Sequence, residues 1–228
     1  GDLMSYIWIE SNGIAGFQQN ATGLFSNNAA SPTEFSLWIG GQKVSELDSL
    51  YIQGVHNPLM RDTAAKASFA LTTNSRKENH TGSHYMIPFF FGEDWTKSLP
   101  LVALQYHDVE IRIKCRDGYV PTDTPKVYGN YIYLDTDERK YFTDTEHELL
   151  ITQTQNQLTS NTDVDIDLSY FNHPVKSLHL VSGRATGDNW SDEFNFATSS
   201  LYINGLALFE NTSNVYHHDV VPEMHCTD

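Results

Sequence analysis

The segment Gln105–Cys115, "QYHDVEIRIKC", alternates apolar and charged residues one by one. Val109, Ile111, Ile113 and Cys115 stand against Asp108, Glu110, Arg112 and Lys114. Successive side chains on a strand point to opposite faces, so the pattern reads as a sheet strand with one buried and one wet face. "TDVDIDLSYF" repeats it, with Val164, Ile166, Leu168 and Tyr170 opposed to Asp163, Asp165 and Asp167. The spacing predicts a strand at each place and makes the three aspartates a solvated face, not a metal cluster. A helical period is plausible only around Val44–Gln53 and Met60–Leu71. Between the strands lie long polar stretches: Asn12–Pro32, Thr72–Ser83, Asp117–Pro125 and Arg184–Thr198. Strands joined by long loops, without strand–helix alternation, indicate an all-β sandwich or jelly roll.

A second feature concerns how many such units there are. "FSLWIGGQKVSE" (Phe35–Glu46) returns as "SSLYINGLALFE" (Ser199–Glu210), so that Ser36-Leu37-Trp38-Ile39-Gly40-Gly41 aligns with Ser200-Leu201-Tyr202-Ile203-Asn204-Gly205. Gly-Gly and Asn-Gly supply the positive φ of a tight hairpin turn. Comparable strands, "MSYIWIES" and "KSLHLVSG", precede the two hairpins. One β-module used twice is the expectation.

Chemistry finds little purchase. The formal charge of −15, from 14 basic and 29 acidic residues, repels phosphate backbones, and no basic patch offsets it; direct nucleic-acid binding is not expected. "YIYLDTDERKYF" (Tyr131–Phe142) ends a strand in five charges: Asp135, Asp137, Glu138, Arg139 and Lys140. A phosphoaspartyl loop or a calcium loop would need other residues where Arg139 and Lys140 stand, and a cation there defeats both. The histidine groups His80/His84 and His217, His218, Asp219, His225, Cys226 lack the spacing of a zinc or cupin site, although Glu223 and His225 could join one. No Gly-x-Ser-x-Gly or phosphate-binding glycine loop occurs. No catalytic residue, metal or cofactor is expected. Four sequons, at Asn20, Asn79, Asn189 and Asn211, fall in predicted loops or turns and are candidate glycosylation sites. No apolar run approaches the ~20 residues that cross a bilayer.

Three stretches together carry a family resemblance: Ile87–Ile113, then Tyr131–Phe142 followed by His147–Gln155 ("HELLITQTQ"), and Phe171–Leu178 ("FNHPVKSL"). With "GDL" at the start and "WIGGQKV" at Trp38–Val44, the chain resembles the major capsid protein of nucleocytoplasmic large DNA viruses, of phycodnavirus and iridovirus type. The resemblance implies a double jelly roll, two tandem antiparallel sandwiches with few short helices. It implies a pseudo-hexagonal homotrimeric capsomer that meets neighbouring capsomers and minor capsid proteins, a virion location and assembly in the host cytoplasm. On that frame residues 1–143 are most of the first jelly roll and 144–228 the first part of the second, an internal piece of a longer chain. The charged run Asp135–Lys140 becomes the corner between them, with Arg139 and Lys140 available to pair with Asp135, Asp137 or Glu138. Two rival readings are a carbohydrate-binding sandwich using Trp8, Trp38, Trp95 and Trp190, and a cupin-like metalloenzyme using the histidines.

Overall fold

The computed structural model describes residues 1–11, 31–60, 83–115, 117–118, 125–159, 165–180 and 196–225. Two antiparallel sheets face each other. In the first, β1 (Leu3–Ser11) is central. It carries β4 (Ser83–Ile87) and the two-residue β5 (Leu99–Pro100) on one edge and β7 (Lys126–Ile132) on the other. In the second, β2 (Glu34–Ile39) lies between β3 (Gln42–Asp48) and β6 (Val109–Lys114). The alternation read at 109–115 is borne out: β6 runs half-buried and exposed by turns. Pro100 closes β5, at a strand end where its missing N–H costs no ladder bond.

Inward residues of both sheets make one core. Met4, Ile7, Ile9, Tyr85 and Ile87 come from the first sheet, Phe35, Leu37 and Leu47 from the second. Phe35 stacks on Tyr85 across the layers at 5.8 Å between ring centres. Phe89, Phe90 and Phe91 could not all point one way on a strand. The chain solves this by leaving strand geometry for a 3₁₀ turn at Phe90–Gly92, and all three rings are buried. Phe91 stacks on Phe89 and meets Phe90 edge to face.

The repeat is geometric as well as textual. Gly40 and Gly41 have φ of 58° and 80°; Asn204 and Gly205 have 51° and 78°. Both turns are therefore two-residue connections with positive φ at each central position, whose twist suits a hairpin. Both hairpins slip register at the same place. Leu37 opposes Ser45 and Trp38 opposes Lys43, just as, in β8 (Thr198–Ile203) and β9 (Leu206–Ser213), Leu201 opposes Phe209 and Tyr202 opposes Ala207. Each hairpin then enters a helix capped from the end of its second strand. Tyr51 N–H donates to Asp48 Oδ1 (2.7 Å) and Tyr216 N–H to Ser213 Oγ (3.4 Å). A backbone bond closes each unit, Ser49 N–H to the Thr33 carbonyl and Asn214 N–H to the Ala197 carbonyl. Wide π-helical turns follow at Ile52–Met60, after α1 (Ser49–Tyr51), and at Tyr216–Val220. The copies differ inside. Phe35 and Ile52 are fully buried in the first; their counterparts Ser199 and His217 hydrogen-bond each other at 2.9 Å in the second.

Three expectations need correction. The helical period read at Val44–Gln53 is a strand as far as Asp48 and turns helical only from Ser49; the separate one read at Met60–Leu71 lies, past Met60, outside the described residues. The strand expected at 163–170 does not form where it is described. Asp167 accepts the Ser169 N–H at 2.9 Å in a local turn, and Phe171 N–H reaches the Leu168 carbonyl. A strand holds its shape by the ladder to a neighbour, and no strand lies beside this segment among the described residues. The third concerns the charged run and is described with the corner below.

Phe35→Ala should cost about 3–5 kcal/mol of stability in denaturant unfolding, because Phe35 is 0% exposed. Tyr106→Ala, at a residue 90% exposed, should stay within about 0.5 kcal/mol; similar losses for both would deny the core its place.

Candidate functional site

The charged run does not continue a strand and is not a loop. After β7 the chain passes Asp135 and forms α2 (Thr136–Asp144). Asp135, in extended conformation, accepts the N–H groups of Asp137 (3.0 Å) and Glu138 (2.9 Å), and Glu138 Oε2 accepts the Asp135 N–H (3.3 Å). That is a capping box, worth on the order of 1 kcal/mol for the cap alone. Asp137 and Glu138 also lie in the first turn, where the helix dipole favours negative charge. The Asp-x-x-Glu spacing was the signal for this helix; its low apolar content hid it, since α2 buries no residue.

Arg139 does not pair within the run. Its Nη2 donates to Asp2 Oδ2 at 2.9 Å, and the same oxygen accepts the Leu134 N–H at 2.8 Å. Asp2 is 9% exposed; its backbone N–H donates to the Ile132 carbonyl and its carbonyl accepts from Val102 N–H. One residue thus ties the start of β1, the end of β7, the 3₁₀ turn at Leu101–Leu104 and α2. The Arg139 hydrogen bond first, and the Leu134 N–H second, hold the Asp2 carboxyl below the usual carboxylate range. Lys140 contributes its carbonyl to the Thr143 hydroxyl at 3.0 Å.

Beyond α2 the chain runs as a strap over the first sandwich. His147 contacts the Phe142 carbonyl through Nε2 (3.0 Å) and packs on the Phe142 and Tyr141 rings. Ile151 joins the core. Thr152 bonds Glu93 (3.3 Å), Gln153 Nε2 donates to the Val44 carbonyl (2.6 Å), and Asn156 Nδ2 donates to Asp48 Oδ2 (2.7 Å). Burial alone would raise the Glu93 carboxyl, but its bonds to Lys97 and Thr152 and the nearby Lys176 together hold it below the ordinary value. A groove of about 390 Å³ separates β3 from the strap. Its ionic walls are already committed: Lys43 pairs with Glu46, and Asp48 caps α1. The corner and strap hold the chain against the sandwich; they assemble no nucleophile with a base.

The other candidates disperse. Among the described residues no three of His, Cys, Asp and Glu gather as metal ligands; His80 and Cys226 lie outside those residues. Trp8 stacks on Tyr128 at 5.7 Å on the outer face of the first sheet. Trp38, on the outer face of the other sheet, lies under the Arg112 guanidinium at 4.1 Å, so the two tryptophans make no common platform. Trp95 is 71% exposed by itself, and Trp190 is outside the described residues. So are Asn20, Asn79 and Asn189. Asn211 is exposed and sits not in a loop but on a second register slip of β9, with φ of 51° and its N–H bonded to Ser200 Oγ.

Comparison with known proteins gives a consistent set of likenesses. The family description "Major capsid protein N-terminus" matches residues 29–135. The major capsid protein of Pyramimonas orientalis virus is 32% identical over 82% of this chain and 51% of its own length. Capsid protein 1 of Acanthamoeba polyphaga mimivirus is 35% identical over 42% of this chain and 19% of its own. The chain thus spans about half the length of the first relative and less of the second. A quasi-atomic model of the PBCV-1 virus capsid superposes with a TM-score of 0.61 at 21% identity, over 97% of this chain and 67% of that one. At that identity the likeness speaks for fold, and the fold is a double jelly roll.

Removing the Asp2 carboxylate should free α2. In Asp2→Ala the amides of Thr136–Asp144 should exchange about ten-fold faster while those of β2 stay unchanged; unchanged α2 exchange would mean that the capping box alone holds the helix. The pH dependence follows from the lowered carboxyl. Its contribution is whole above the unfolded value near 4 and is lost as pH falls through the lower folded value. Loosening of α2 below about pH 4 should therefore vanish in Asp2→Asn.

Proposed function

This chain is related to the major capsid proteins of large DNA viruses, and from that premise we propose that it is a structural component of an icosahedral capsid. Its work is mechanical: sandwich sides bury against like neighbours in a shell, without a catalytic step. In this reading the protein forms homotrimers whose two jelly rolls per subunit give a pseudo-hexagonal outline. The trimers pack against neighbouring capsomers and minor capsid proteins in the virion, after assembly in the host cytoplasm. Contact with the genome is indirect, in keeping with a formal charge of −15.

The observation that carries this reading is the duplicated unit. Two hairpins with the same turn, the same register slip and the same capped helix are what tandem copies of one β-fold would contain. Residues 1–143 hold one copy and 144–228 open the other. Asp135–Lys140 is then the corner between them, and the Asp2–Arg139 pair fixes its angle more than it adds stability, since Arg139 is half exposed. Asn211, the sequon among the described residues, would present a sugar from an exposed bulge of the hairpin.

Electron microscopy and sedimentation of the full-length protein test the reading. A closed three-fold particle with pseudo-six-fold outline is the expected result. A monomer at micromolar concentration, or subunit contacts below the roughly 1,000 Å² that specific interfaces need, would overturn it. Peptide mass mapping of the virion-derived protein should find any glycan at Asn211, and an unmodified Asn211 would remove that site.

A further inference from the structure

We propose that the strap from Glu148 to Asn156 is a hinged clasp, which swings off the first sandwich as one piece while the sandwich stays folded, and that Asp48 is its catch.

The strap is seated by side chains. Among the described residues no backbone group from 148 to 156 bonds another backbone group. In place of a ladder stand four side-chain bonds: Thr152 to Glu93, Gln153 to the Val44 carbonyl, Thr154 to the Tyr51 side chain and Asn156 to Asp48. Only Ile151 and Thr154 are half-buried; the other residues from Glu148 to Asn156 are exposed, Leu150 by 96%. Space lies on both sides of the strap. One is the groove beside β3; the other is an apolar pocket of about 370 Å³ that Leu149 and Ile151 share with Phe142, Phe90 and Leu104. An element with few apolar contacts and no ladder opens at a lower free energy than core strands do. The pivot is His147, which packs on the Tyr141 and Phe142 rings and keeps the near end on α2.

Asp48 has one carboxylate and two tasks. Its Oδ1 accepts the Tyr51 N–H and caps α1, and its Oδ2 accepts Asn156 Nδ2, each at 2.7 Å. The second hairpin needs only the first task. There Ser213 supplies the cap from its one side-chain oxygen. The additional oxygen at Asp48 therefore serves the strap. The chain beyond leans on the same places. Tyr170 and Phe171 line the groove beside β3, and Lys176 acts on the charge of Glu93. An open clasp would release residues 170–176 as well, and so re-aim the chain without refolding the sandwich. This device goes beyond the capsid reading and does not depend on it.

The test uses the whole 228-residue chain carrying Ile151→Cys, with Cys115→Ala and Cys226→Ala removing the natural thiols. Labelling of the thiol at position 151 reads the clasp, and amide exchange in β2 reads the sandwich. The thiol should react through an opening about a hundred-fold or more easier than that of β2, and nearly indifferent to about 1 M urea, because little surface is exposed. Asn156→Ala and Asp48→Ser should each speed labelling about ten-fold, and the double variant no more than either alone. Asp48→Ser should keep the Tyr51 amide protected. Labelling as slow and as urea-dependent as β2 opening, labelling at the rate of an unfolded peptide, or additive effects would overturn the inference. Should the thiol variant fail to fold, chymotryptic cleavage after Leu149 and Leu150 of the natural chain reads the same opening. Asn156→Ala should then speed that cleavage by a similar factor, and an unchanged rate would overturn the clasp.

Discussion

Every strand has two rows of backbone donors and acceptors, and each row must be paired or guarded. The arrangement of this protein follows from that requirement. β1 and β2 are paired on both sides and bring Met4, Ile7, Ile9, Phe35 and Leu37 to the buried core. Among the described residues β3 has only β2 as a ladder partner. On its outer side a side chain, Gln153, takes the Val44 carbonyl and stands in for a missing strand. The strap therefore does two things with one set of contacts: it guards an edge and carries the chain onward from α2.

Electrostatics here serve geometry. The chain is strongly acidic, and three of its described cations join elements or cover a ring. Arg139 reaches Asp2 at the foot of β1. Lys114 bonds Glu34 across the β2–β6 pair at 2.8 Å, and Arg112 bonds Glu110 while covering Trp38. Exposed pairs of this sort add little stability singly. Their value lies in orientation, above all at Asp2, where a buried carboxylate collects a helix, a strand end and a turn.

Much of this was legible in the residues. Alternation located β6, and the paired hairpins, down to their Gly-Gly and Asn-Gly turns, announced a duplicated unit. What escaped was local chemistry overriding a pattern, or pattern lacking a partner. α2 escaped because its signal is a capping box in a helix with no buried face, so hydrophobic periodicity had nothing to report. The segment at 163–170 misled in the opposite sense: its alternation is clear, but alternation specifies a face, and only a neighbouring strand can supply the ladder.

The sequence by itself determined the period-two faces, the hairpin turns and the repeat, because these depend on side-chain direction and on φ, which are properties of single residues and their immediate neighbours. Only the tertiary structure decided that Arg139 would find Asp2, that Phe89, Phe90 and Phe91 would share one core, and that Ser199 would meet His217. Those pairings join residues through the meeting of layers, and no spacing along the chain encodes which surfaces come together.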